Sequence, residues 1–252
     1  MRKLTLIFFI LACSSQVIGQ IANIENKRKS QREEGFSGNI NIDFSYVKNL
    51  EEIYQFGGTG RLYYFKKQHG FMLLGDSKVV QTDGEDLVNN NFEHVRYNLA
   101  LDTARIFVFE AFEQLQQNRV QNIDLRALAG SGMRFSLAST DSIAFYLGVS
   151  GMYEYEESTE STEIERNWRA SSYLSADWQA TENFGMNLIV YYQPVFKDFQ
   201  DYRISGEFAL RLKISEKLRF VSSVNLVYDN RPLPNIPNNI INVSNGLRYN
   251  FN

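Results

Sequence analysis

Apolar and polar residues alternate one by one along most of this chain, the pattern of a strand whose two faces meet different surroundings. In Phe36–Tyr46, residues Phe36, Gly38, Ile40, Ile42, Phe44 and Tyr46 share one face, and Ser37, Asn39, Asn41, Asp43 and Ser45 share the other. The theme returns in Val95–Leu101, Ile143–Tyr153, Trp168–Trp178, Tyr202–Lys213, Leu218–Tyr228 and Val243–Phe251. Less regular segments at 53–65, 70–81, 105–116, 123–137 and 184–193 fill the gaps. Together they predict about twelve strands of roughly 9–13 residues, the length of tilted membrane-spanning strands.

The predicted connections alternate in character. Short polar turns fall at 66–70, 102–105, 139–142, 180–183 and 215–217, and longer polar loops at 82–91, 117–122, 155–167, 194–201 and 229–239. One rim of tight turns and one of long loops is the layout of an outer membrane barrel. The expected fold is therefore all-β, an antiparallel transmembrane β-barrel of about twelve strands.

The face compositions separate this from a soluble barrel. The polar positions are mostly Asn, Ser, Gly, Gln and Arg, which suits a hydrated interior, and aromatic residues sit near the ends of the apolar faces, as interfacial girdles do. A sheet in lipid must satisfy its backbone internally and so must close. The C-terminal Tyr249-Asn250-Phe251-Asn252 looks like the signal read by the barrel-assembly machinery, with Asn252 standing after the aromatic that usually comes last.

The N-terminus adds the compartment. Arg2 and Lys3 precede the apolar run Leu4–Ala12, which is too short to span as a helix and reads as a secretory leader, giving 1–19 as signal peptide. Cys13, the only cysteine, follows Ile10-Leu11-Ala12 and offers a lipobox as the alternative start. With cleavage near Gln20 the mature chain has no cysteine and so no disulfide. Residues 20–34 would be a periplasmic tail or plug, and 35–252 the barrel.

Composition changes little beyond this. The formal charge is −3, aromatic residues make up 14%, and there are only 4 prolines. No basic block points to nucleic acid. The expected partners are outer membrane lipid, lipopolysaccharide and the assembly machinery; the sequence leaves the oligomeric state open.

Several short motifs resemble a YdiY-like, salt-inducible outer membrane family of unknown function, in its Bacteroidota form. They are 23–28 (NIENKR), 35–38 (GFSG), 94–98 (HVRYN), Phe109–Phe112 with Gln114, and Leu125–Leu128 with Gly130 and Gly132. The resemblance implies a barrel in the outer membrane and carries over neither an activity nor catalytic residues.

If the apolar faces meet lipid, Arg61, Arg96, Arg126, Arg134, Arg169, Arg203, Arg211 and Arg248 point into the lumen. Asp43, Glu110, Asp124, Asp177 and Glu207 join them. Such arginines either line a small anion-selective pore or close the lumen through Arg–carboxylate pairs. The acidic stretch Glu154–Glu165 is expected to be the largest external loop, solvated rather than metal-binding. His69 and His94 are the only imidazoles, with His69 in a periplasmic turn and His94 near the outer end of a strand. No nucleophile motif accompanies either, so no catalytic residues, metal or cofactor are expected. Gly57-Gly58-Thr59-Gly60 lacks the helix and lysine of a phosphate loop and reads as a bend or a close backbone approach. The function classes left open are a narrow passive channel for small polar or anionic solutes, a structural or stress-responsive barrel with a sealed lumen, and, last, a hydrolase using His94.

Overall fold

A computed structural model describes residues 34–48, 51–82, 84–160, 164–233 and 235–249. The leader, Cys13, nearly all of the N-terminal segment and the last three residues lie outside them. The described chain forms strands β1 (Gly35–Lys48), β2 (Glu52–Lys66), β3 (His69–Thr82), β4 (Glu85–Ala100), β5 (Phe107–Asn118) and β6 (Ile123–Ser139). It continues with β7 (Ile143–Ser158), β8 (Ile164–Thr181), β9 (Phe184–Val195), β10 (Asp198–Lys213), β11 (Leu218–Asp229) and β12 (Asn239–Tyr249). All twelve form one sheet in sequential order, each paired antiparallel with its sequence neighbours. No ladder joins β1 to β12, so these two strands are the sheet's edges and β1 is exposed on both faces.

The alternation sorts side chains as the sequence predicts. One face carries Ile40, Phe44, Leu73, Val95, Leu174, Leu188 and Val243, all exposed. The other buries polar groups such as His94, Arg96, Gln114, Arg126, Glu154, Arg169 and Arg203. This is the inside-out arrangement that lipid requires. Aromatic residues form two girdles on the apolar face. Toward the short turns, Phe36, Tyr64, Phe71 and Tyr97 follow one another across β1–β4 at centroid separations of 4.5, 6.3 and 4.9 Å. Toward the opposite rim, Tyr192, Tyr202 and Tyr228 form a row at 5.8 Å spacing, and Trp168 packs edge-on to Tyr153. Trp168 and Trp178 mark the two girdles on β8 alone. The ten residue steps of tilted strand from one to the other span roughly 25 Å, the height of the apolar band in such barrels.

Two expectations are corrected. Eight of the strands run 14–18 residues, longer than predicted. Four of the five long loops shrink accordingly, with β4 beginning at Glu85, β8 at Ile164 and β10 at Asp198. Only 230–238 remains long. The reason is that hydropathy reports where lipid begins and ends, whereas backbone pairing continues into water as long as the ladder can. The extensions are polar: Asn89, Asn90, Asn91, Glu165 and Asn167 all pair within strands.

Candidate functional site

The lumen is filled in tiers. The tier nearest the long-loop rim is a charge network on β6–β11. Glu154 sits between three guanidiniums, pairing with Arg126, Arg169 and Arg203, and all four side chains are buried. Arg126 also lies 3.1 Å from Glu156, Arg203 reaches Asp229 at 2.5 Å, and Arg169 reaches Asp201 at 3.1 Å. Four carboxylates thus face three arginines. In this confined site each guanidinium fork is occupied, so none is left to attract a passing anion.

Glu154 and Glu156 correct the reading of the acidic stretch as an external loop. They belong to β7, on its luminal face, with Glu154 wholly buried. The signal was in the sequence: Met152-Tyr153-Glu154-Tyr155-Glu156 continues the period of two that starts at Ile143. Its high charge made the segment resemble a loop.

Over this network lies the 230–238 connection. Arg231 pairs with Asp198 at 2.8 Å, Asn230 donates to the Gln200 carbonyl at 2.6 Å, and Asn235 donates to Glu160 at 2.7 Å. Leu233 is buried in spite of its loop position. The segment is a strap fastened from the β11 end to the β7 end of the rim.

The middle tier is built on β4, β5 and β8. Arg96 pairs with Glu110 at 3.1 Å, and the Tyr173 hydroxyl donates to the same carboxylate at 3.2 Å. Tyr173 finds room because its strand neighbour is Gly148, where a Cβ would stand 2.0 Å from the ring. His94 lies in mid-strand, inward, rather than near the strand's outer end. It is wholly buried, stacks 6.3 Å from Phe92 and 6.1 Å from Phe112, and accepts from Arg96 Nε at 3.3 Å. A small hollow of about 30 Å³ beside it is lined by Gln114, Ser171, Tyr173 and Gln193, enough for a water or two.

Nearer the short turns the packing loosens. Arg134 lies over the Tyr146 ring at 3.7 Å. Arg211 and Asp177 pair at 3.1 Å with both side chains about half exposed. Glu207 is half-buried on the luminal face of β10. Asp124, expected in the lumen, is instead exposed beside a bulge at the start of β6, where the extra residue breaks the alternation. Arg248 is in β12, and its side chain is outside the described ones.

On β1–β5 the interior is different. Arg61, half-buried on β2, and Asp43 on β1 line a polar cavity of about 300 Å³ together with Gln55, Thr59, Asp76, Lys78, Asn90, Phe92, Gln116 and Asn118. Gly57 makes part of this space: a Cβ there would lie 2.3 Å from the Asp43 carboxylate. The carboxamides Asn90, Gln116 and Asn118 were not singled out by sequence reading. Amides are frequent everywhere in this chain, and only the register shows which of them converge.

Among the described residues no cluster of His, Cys, Asp and Glu could hold a metal ion. The fold is similar to that of the NanC porin, with a TM-score of 0.50 at 8% identity over 84% of this chain and 100% of that one. The KdgM porin matches over 84% and 99% of the two chains, with a TM-score of 0.39 at 16% identity. No curated protein matches the sequence. Residues 51–251 match the model of a family described as a protein of unknown function, DUF481, and the chain belongs to that family.

Proposed function

We propose that the protein is a narrow outer membrane channel for small polar solutes, whose path follows the β1–β5 wall of the lumen. The observation that carries this reading is the uneven filling of the interior. The β6–β11 side is packed with paired charges, whereas the β1–β5 side keeps a polar cavity large enough for a small solute. The two aromatic girdles and the apolar band between them favour placement in an outer membrane, reached through the expected leader, with closure by pairing of β1 and β12. On this reading lipopolysaccharide and lipid surround the barrel, and the assembly machinery inserts it through its last strand. The luminal arginines then act as wall struts more than as an anion filter, because their carboxylate partners neutralise them.

A second reading is favoured by the same charge network: a sealed, structural barrel, in keeping with the resemblance to a YdiY-like, salt-inducible group. A hydrolase reading has little support, since His94 is enclosed between two phenylalanine rings and held by Arg96. Planar-bilayer recording on the folded protein separates the first two. Discrete, reproducible conductance steps support the channel; a folded, heat-modifiable barrel that gives none supports the sealed barrel.

A further inference from the structure

We infer that the β1–β5 cavity is a binding site for an uncharged, hydroxyl-rich solute of sugar type. The inference rests on the channel reading only for how the solute arrives; the site itself is defined by its own chemistry.

Three polar atoms on the cavity lining are buried without a hydrogen-bond partner: Arg61 Nε, Asn90 Oδ1 and Gln116 Oε1. Gln116 lines the cavity and is 5% exposed, so its amide is shielded from bulk water. Buried polar groups left unpaired are costly, and a site that contains several of them discriminates for a ligand that supplies the missing partners. The set comprises two acceptors and one donor, and each amide also carries the complementary group. Hydroxyl groups, which donate and accept at once, meet such a set after a small turn of these side chains toward the cavity.

Charge narrows the class. Arg61 and Lys78 face Asp43 and Asp76 in the same cavity, two cations against two anions. A site without net charge gives neither anions nor cations an advantage. Phe92 adds a buried ring at the lower wall, an apolar surface for the C–H face of a sugar ring. The volume of about 300 Å³ is at the small end of ligand pockets.

The test uses the protein expressed with its own leader, extracted from outer membranes and held in lauryldimethylamine oxide micelles, whose headgroup carries no sugar. Binding is read by saturation-transfer NMR and calorimetry with three probes: maltotriose, tetraethylene glycol and trigalacturonate. The expected result is millimolar binding of maltotriose, at least about tenfold weaker binding of the glycol, and no gain for the uronate. Gln116→Leu and Asn90→Leu should each weaken maltotriose binding by about tenfold while the barrel stays heat-modifiable. The probe comparison on the unaltered protein needs no substitution, so a folding defect cannot mimic it. No maltotriose signal, equal binding of the glycol, or clearly tighter binding of the uronate overturns the inference. Conductance recorded in parallel keeps the two claims apart. A barrel that binds maltotriose but conducts no ions ends the channel reading and retains the site, whereas a conducting barrel that binds none of the probes ends the site and retains the channel.

Discussion

Glu154 and Arg203, 49 residues apart and on strands separated by two others, form an ion pair inside the lumen. The contact links β7 to β10 across the interior, so it ties the wall at a distance that neighbouring-strand hydrogen bonds cannot reach. Arg126 and Arg169 meet the same carboxylate from β6 and β8.

Glu154→Gln should therefore be one of the most damaging single changes on the luminal face. It keeps the shape but removes the carboxylate that all three buried guanidiniums share, leaving Arg126 with Glu156, Arg169 with Asp201 and Arg203 with Glu156 and Asp229, a loss of about 1.5–3 kcal/mol. The measurement is the urea midpoint of unfolding in liposomes. Asp177→Asn, which leaves a half-exposed pair at the other end of the lumen, should cost less than about 1 kcal/mol in the same assay. Equal effects of the two would show that the network bears no special strain.

Gly148→Ala should displace the Tyr173 ring and with it the hydroxyl held by Glu110. A loss of about 1–3 kcal/mol is expected from overpacking. Combining it with Tyr173→Leu should recover part of the loss, because the smaller side chain relieves the clash. A double variant less stable than the sum of the singles would contradict the steric account.

The strap lies over the packed β6–β11 side, so it should brace the rim rather than gate the β1–β5 path. Leu233→Asp and Arg231→Ala together release its buried side chain and its pair with Asp198. If the protein conducts, mean open conductance should stay unchanged. A rise in conductance would mean that the path runs beneath the strap.

In the β4–β5 turn, the Asp102 carboxylate accepts from the backbone N–H of Ile106 at 3.0 Å and of Phe107 at 2.8 Å. These bonds favour the charged form and hold its pKa below the ordinary 3.8. The sign follows: the contribution is complete above the ordinary carboxylate value and is lost as pH falls through the lowered one. NMR shifts of the Ile106 and Phe107 amides should titrate below pH 3.8, and Asp102→Asn should abolish that titration. A midpoint above the ordinary value would refute the assignment.

Closure of the sheet predicts a register. Even-numbered residues of β1 and odd-numbered residues of β12 share the lipid face, and setting Phe36 opposite Tyr249 places both aromatics in the girdle near the short turns. That register sets Asn41 opposite Ser244. Cysteines at these two positions should cross-link in the outer membrane, and cysteines at Asn41 and Asn242 should do so far less. The reverse ranking would shift the register by two residues, and failure of both pairs would place the seam elsewhere.

The alternation along segments such as Phe36–Tyr46 and Trp168–Trp178 determined the strands, their faces, their number and their sequential order, because period two and hairpin connections are local properties. It also placed Arg96, Arg126, Arg169 and Arg203 in the lumen, since face parity is local too. Only the tertiary structure decided what those arginines meet. Glu154 reaches three of them through the register of β6–β8 and the curl that brings in β10, and charge along the sequence had made the same residue look like part of a loop. The same holds for Asn90 and Gln116. Alternation gives each a face, but their convergence on one cavity comes from the register of the β4–β5 hairpin and its approach to β1–β3, which no single segment encodes.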